Sequence, residues 1–297
     1  YHDLFFQEGP KIYNINLDKF YNKNVLEKAE EFYEGMSFDV SDIIKRSDLY
    51  DKPGKYQHAY CMDLDREGDI RALMNIKNNE YWMGTILHEL GHAIYWKYIY
   101  KNLPFLIRDT SNILTTEAIA MLMERNVKNP AFIKKFCNVE TKEIEEITRD
   151  VKKGLKLRQI VFSRWSQVMF NFEKNLYENP EQNLNELWWN LVKKYQLINF
   201  SRDKADWASK IHLVSSPVYY YNYIIGELFA SQINNYIVKN ILEEKSSKNL
   251  DYAGKKEIGD YLKLRIFYLG AIYKWDELIK HSTGEELNSE YWTDEFC

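Results

Sequence analysis

The stretch that most constrains this chain is His88-Glu89-Leu90-Gly91-His92. At about 3.6 residues per helical turn, residues four apart lie one above the other, so both imidazoles reach one ion from one helix face. Glu89 falls on the edge of that face, where it can meet a water on the ion without binding the ion itself. The pattern suits Zn²⁺, which takes neutral histidine nitrogens and keeps a fourth position open in catalytic sites. A third protein ligand is then needed. Glu117 stands 25 residues after His92, within Thr115-Thr116-Glu117-Ala118-Ile119-Ala120-Met121. Ile113, Leu114, Met121 and Leu122 surround it at helical spacing, so its carboxylate points into an apolar stripe, a costly place unless a positive charge faces it. A metal on a facing helix supplies that charge. The intervening residues let one helix end, a loop through Pro104 turn back and a second helix come alongside. The competing reading puts two histidines and Glu117 on solvated faces.

Composition narrows the setting. Hydrophobic residues make up 45% of the chain, enough for a real core, and with only 12 Gly and 6 Pro a mainly α fold is expected. The net charge of −4 gives no reason to expect nucleic acid or an anionic membrane as partner. No apolar run approaches the length of a membrane span. Cys61, Cys137 and Cys297 are too few for a disulfide framework, which points to a reducing, cytoplasmic setting. Cys61 reads as a buried thiol rather than a nucleophile. The chain opens Tyr1-His2-Asp3-Leu4-Phe5-Phe6, with no basic or apolar leader, and reads as the start of a fragment.

Periodicity places the elements. Apolar positions predict a helix over 18–34 and another turn or two from Ser41. Residues 56–63 and 70–76 predict two strands joined by Asp65-Arg66-Glu67-Gly68-Asp69, a hairpin whose free edge could pair with an extended peptide or simply cover the metal helix. Asn78 or Asn79 caps the metal helix, which runs to about Tyr100; Thr110 or Ser111 caps the Glu117 helix, and Pro130 follows its end. Gly91 weakens its helix, so close packing of another backbone is its expected reason. Further helices are expected over 141–178 with a break near Gly154, over 183–195, over 215–242 from near Pro217, and once or twice over 254–279. His2 and His281 have no neighbours at ligand spacing and read as surface residues.

A second group of polar aromatics follows. His212 precedes Pro217-Val218-Tyr219-Tyr220-Tyr221-Asn222-Tyr223. Donors aimed at a developing oxyanion stabilise the transition state of peptide hydrolysis, and a His N–H and a Tyr O–H are suitable. A helix from Pro217 would put Tyr220 and Tyr221 in its first turns, where its dipole favours negative charge. The other reading is an aromatic core helix with a satisfied histidine.

Taken together, several motifs resemble the angiotensin-converting-enzyme family of zinc dipeptidases and, more distantly, thimet oligopeptidase and oligoendopeptidase. They are His58-Ala59, His88-Glu89-Leu90-Gly91-His92, Phe105-Leu106-Ile107-Arg108 with Glu117-Ala118-Ile119, Trp188-Trp189 with Lys194-Tyr195-Gln196, and Lys210-Ile211-His212 with Pro217 to Tyr223. The resemblance implies a gluzincin, zincin-like catalytic half with a small antiparallel hairpin before the metal helix. It implies His88, His92 and Glu117 as zinc ligands, Glu89 as general base and acid, and His212 and Tyr221 as oxyanion donors, with Tyr219 the alternative. The resemblance picks Tyr221 because its place, four residues after Pro217 and nine after His212, matches the oligopeptidase spacing, and the converting-enzyme spacing with one residue deleted before Pro217. His58 and Ala59 are implied as contacts to the substrate backbone, and Lys210 with Tyr219 as contacts to its C-terminal carboxylate.

There are departures. Gln57 replaces a family cysteine, Tyr219 and Tyr220 stand where an arginine is sought, and Val192 replaces a chloride-binding arginine. The family's N-terminal half, the other wall of its groove, has no counterpart, so residues 1–297 read as one predominantly helical catalytic region: zinc site at 80–125, oxyanion helix at 210–242, C-terminal helices at 254–297. The expected activity is zinc-dependent hydrolysis of short peptides, of peptidyl-dipeptidase or oligopeptidase type. The alternatives are a zinc-binding scaffold and an incomplete half that needs a partner chain or the missing N-terminal half. An aminopeptidase would need a Gly-x-Met-Glu-Asn segment, and none is present.

Overall fold

The computed structural model describes residues 16–244 and 252–297, which leaves His2 outside. Helices dominate, with one two-stranded antiparallel sheet. The segment expected as one helix over 18–34 is divided. A 3-10 turn, Leu17–Phe20, comes first, and Asn24 takes a left-handed conformation (φ 55°) before α1, Val25–Gly35. Asparagine tolerates that conformation better than most residues, so two buried stripes meet at a corner. Helix α2, Ser41–Arg46, follows.

Strands β1, Tyr60–Asp63, and β2, Ile70–Leu73, pair with Cys61 opposite Ala72. Both are shorter than the sequence pattern predicts. Beyond Leu73 the chain changes partner: the Met74 and Ile76 N–H groups donate to the Asp48 and Leu49 carbonyls, each at 2.9 Å. The Asn75 amide instead holds the Tyr56 and Gln57 carbonyls. His58 and Ala59 therefore precede the strand rather than lie in it.

Helix α3, Glu80–Lys97, is capped by Asn79, whose side chain accepts the Trp82 N–H at 2.9 Å. Met83, Ile86, Leu87, Leu90, Ala93 and Ile94 bury it nearly all round, as an interior helix requires. Helix α4, Ile113–Glu124, is capped by Asn112 rather than Thr110 or Ser111, because the Ser111 hydroxyl is engaged with the Tyr273 carbonyl at 2.7 Å. After a 3-10 turn, Arg125–Lys128, comes α5, Pro130–Cys137. Pro130 does more than end the preceding helix: it opens this one at its first position, where a missing N–H costs nothing.

Helix α6, Thr141–Glu178, runs unbroken past Gly154. Helix α7, Leu184–Leu191, continues as a π-helical turn, Val192–Gln196. Then come α8, His212–Ser215, and α9, Tyr221–Tyr236, with a π-helical turn, Ile237–Ile241. Helix α9 starts four residues later than Pro217 predicts. Val218 is left-handed (φ 56°), and its N–H donates to the Glu173 carboxylate at 2.6 Å, which separates α8 from α9. The C-terminal part holds α10, Lys256–Arg265, α11, Trp275–Thr283, and α12, Glu290–Phe296, the last of which the sequence pattern does not announce.

The described residues form two compact units, each with its own core. One is 16–148 with 226–244 and 252–295, and the other Arg149–Ile225 with Phe296–Cys297. In the second unit Trp165, Val168, Phe172, Trp188, Val192 and Tyr220 pack together, and the Trp165 indole donates to the Tyr220 hydroxyl. In the first unit α3 and α4 lie against each other. A Cβ on Gly91 would come 2.8 Å from the Ala120 Cα, so the two backbones touch there. Gly226 brings α9 similarly close to α4: a Cβ there would come 3.2 Å from the Glu117 Cβ. Buried Arg125 ties these pieces by pairing with Glu227 on α9 and Glu295 on α12.

Gly91→Ala should therefore cost about 1–3 kcal/mol through overpacking. Gly84→Ala, on the same helix but with its nearest new neighbour at 3.5 Å, should be neutral or gain up to about 1 kcal/mol of helix propensity. Urea unfolding of both variants checks the contrast; equal midpoints would refute the close approach at Gly91.

Candidate metal centre

One turn of α3 separates His88 from His92, and α4 brings Glu117 to face them. The two Nε2 atoms lie 3.2 Å apart, and the Glu117 Oε2 is 3.5 Å from that of His88 and 3.9 Å from that of His92. The point equidistant from these three atoms is about 2.1 Å from each, the length of a zinc–imidazole or zinc–carboxylate bond. Among the described residues, this is the one group of three side chains gathered closely enough to hold a metal.

Both imidazoles are held from behind. The His92 Nδ1 is 2.7 Å from the Thr116 hydroxyl, and the His88 Nδ1 is 3.1 Å from the Glu124 carboxylate. Hydrogen bonds at Nδ1 leave each Nε2 lone pair turned towards the centre. The Trp96 ring lies 6.0 Å from that of His92, and its indole N–H donates to Asp109 at 3.1 Å.

Glu89 is 6% exposed, next to His88. Burial pushes its carboxyl up to about 7; the His88 charge pulls the other way, while Glu117 and Glu124 push further up. For His88, burial opposes the charged ring, but the Glu124 hydrogen bond and the charges of Glu117, Glu124 and Glu89 outweigh it and raise the ring to about 9. Burial, then the His88 charge, hold His92 well below the ordinary histidine range. Three carboxylates thus converge on two imidazoles in a largely dry setting. That donor set favours a cation, and its nitrogen and oxygen ligands fit zinc.

The other residues singled out from the sequence are placed as follows. His58 is exposed and Ala59 half-buried, just ahead of β1. Lys210, His212, Tyr219 and Tyr221 belong to the unit of Arg149–Ile225. Lys210 is buried, its Nζ 4.9 Å from the centre of the Trp165 ring. His212 opens α8, with the Tyr219 ring 6.4 Å away. Tyr221 is half-buried at the first position of α9, and Tyr220 is a core residue. The tyrosine hydroxyl that the structure brings to His212 is that of Tyr223, at 3.4 Å from Nε2. Counting from Pro217 overlooks it, because nothing in the local sequence announces a left-handed valine. Thr116 and Glu124 were overlooked too, although Glu124 follows Glu117 by seven residues, two turns along the same face. Cys61 is partly buried, and burial and the nearby Glu89 charge push its thiol well up, so it is no activated nucleophile. His281 is part-exposed and stacks on Tyr273, at 4.9 Å.

A His-Glu-x-x-His helix facing a second helix with a glutamate ligand defines the gluzincin class of metallopeptidase centres. The model of the peptidase M2, angiotensin-converting enzyme, family matches residues 12–291, and the chain belongs to that family. It is 25% identical over 276 residues to angiotensin-converting enzyme of Oryctolagus cuniculus, covering 89% of this chain and 21% of that protein. It is 23% identical over 245 residues to angiotensin-converting enzyme of Theromyzon tessulatum, covering 78% and 38%. It is 22% identical over 242 residues to the angiotensin-converting enzyme-related protein of Drosophila melanogaster, covering 77% and 38%. The chain thus spans less than two fifths of the length of these relatives.

The metal-free centre should reveal itself by pH. His88 holds its proton to about 9 instead of 6.5, so the stabilisation from that proton is full below 6.5 and is lost as pH rises through 9. Glu89, raised from 4.5 to about 7, has the same sign over a lower window. The thermal midpoint of chelator-treated protein should therefore fall between about pH 7 and 9, whereas the zinc-loaded protein, with His88 neutral and ligated, should not follow it. A flat profile without metal would contradict the His88 assignment.

Proposed function

We propose that this chain is the zinc-bearing part of a metallopeptidase that hydrolyses peptide bonds in short peptides, of peptidyl-dipeptidase or oligopeptidase type. The observation that carries the reading is the triangle of His88, His92 and Glu117 with buried Glu89 at its side. Bound there, zinc supplies a Lewis acid for the scissile carbonyl and lowers the pKa of a water towards neutrality. The Glu89 carboxylate takes the water's proton and returns it to the leaving amine; its burial favours holding that proton between the two transfers. His212 would donate a ring N–H to the developing oxyanion, with a tyrosine hydroxyl as second donor. Spacing picks Tyr221 for that role, and the contact at 3.4 Å picks Tyr223. His58 and Ala59 would meet the substrate backbone, beside β1 with its exposed Tyr60 and Met62. Lys210, with Tyr219, would meet a free C-terminal carboxylate.

A second reading keeps the same metal centre. On that reading the chain binds zinc but cuts peptides only with a partner chain that supplies the rest of the groove. Among the described residues no helix is long and apolar enough to cross a membrane. The three free cysteines keep a reducing, cytoplasmic setting part of the proposal.

Glu89→Gln should keep zinc, by elemental analysis, and lower the turnover of a short fluorogenic peptide by about 10²–10⁴-fold. Of Tyr221→Phe and Tyr223→Phe, only the true donor should lower kcat, by about 10²–10³-fold, with KM little changed. Zinc bound without turnover alone, and turnover gained on adding the N-terminal portion of a relative, would select the second reading. Turnover undiminished in Glu89→Gln would overturn the mechanism.

A further inference from the structure

We infer that Glu124 is a positioning residue of this centre, and that its charge sets a large share of the affinity for the ion. The inference rests on the zinc reading given above and deepens it. Glu117 and Glu124 are two turns apart on α4, so both carboxylates face α3. Glu117 approaches the Nε2 of His88 at 3.5 Å, and Glu124 its Nδ1 at 3.1 Å. One imidazole thus lies between two carboxylates, one on each nitrogen. Once Nε2 is given to a metal, Nδ1 must carry the hydrogen and donate it to the Glu124 Oε2. A charged acceptor there draws on that hydrogen and makes Nε2 the stronger ligand.

His92 is held differently. Its Nδ1 partner is the neutral Thr116 hydroxyl at 2.7 Å, which fixes the ring's orientation and brings no charge. The two histidine ligands are therefore unequal: His88 is oriented and strengthened, and His92 only oriented. Gly84, one turn before His88, borders the Glu124 side chain; a Cβ there would sit in ordinary van der Waals contact, 3.5 Å from the Glu124 Cγ. The Glu124 side chain is 28% exposed against 3% for Glu117, so replacing it opens no cavity in the core.

The test is zinc affinity of the full chain by competition with a chromophoric chelator, together with the visible spectrum of the Co²⁺-substituted protein. Glu124→Gln, which keeps an acceptor and loses the charge, should weaken zinc binding about 10-fold, and Glu124→Ala about 100-fold. Thr116→Val should weaken it less than Glu124→Ala, and the Co²⁺ bands should shift in the Glu124 variants while far-ultraviolet circular dichroism stays that of the parent. Glu124 variants within about twofold of the parent, with an unchanged Co²⁺ spectrum, would overturn the inference. If the parent binds one zinc and His92→Ala abolishes it, that failure belongs to Glu124 alone. A parent that takes up no zinc would bring down the metal reading and the inference with it.

Discussion

The contact of α3 with α4 at Gly91 and Ala120 sets the reach of every group in the metal centre. Imidazole and carboxylate side chains are short, and three of them converge within bonding distance of a common point only if their backbones nearly touch. A side chain at Gly91 would wedge the helices apart at the turn that carries His92. Gly226 imposes a similar closeness at the turn of α4 that carries Glu117, where an added Cβ would come 3.2 Å from the Glu117 Cβ. The helix that costs stability by carrying a glycine is the one that could not otherwise approach. Pre-placed ligands of this kind spend little free energy on ordering when the ion binds.

Electrostatics adds a second constraint. Glu89 and Glu117 are buried and Glu124 half-buried, and a carboxylate taken out of water must find positive charge or a proton. Without metal the cluster answers by keeping a proton on His88, and Glu89 remains close to its own titration point. The negative surplus of the cluster is what a dication would relieve. The burial that raises the affinity of Glu89 for a proton also surrounds the three side chains that could hold a cation.

Much of the centre was legible in the residues alone. His88, His92 and Glu117 could be assigned because their spacing maps directly onto helix geometry, and geometry within one helix needs no knowledge of the rest of the fold. The reason for Gly91 was legible for the same cause. What failed to show depended on partners distant in sequence. β2 shifts its hydrogen bonds to the Asp48 and Leu49 carbonyls, so His58 and Ala59 drop out of the ladder. Ser111 is engaged with Tyr273 and yields the cap to Asn112. Asn24 and Val218 break helical stripes by a backbone conformation that their neighbours do not encode. The pairing of His212 with Tyr223 follows from the second of these breaks.

Val218 has a wider consequence. A β-branched residue held left-handed is strained by roughly 1–3 kcal/mol, and the Glu173 carboxylate helps to keep it there. The bend between α8 and α9 is a slack joint in an otherwise rigid ruler: a residue gained or lost there lengthens or shortens the bulge without rotating α9. Numbering offsets between cousins of this chain should therefore collect at that joint, and positions downstream are better matched by counting back from Gly226, whose contact with α4 admits no slippage.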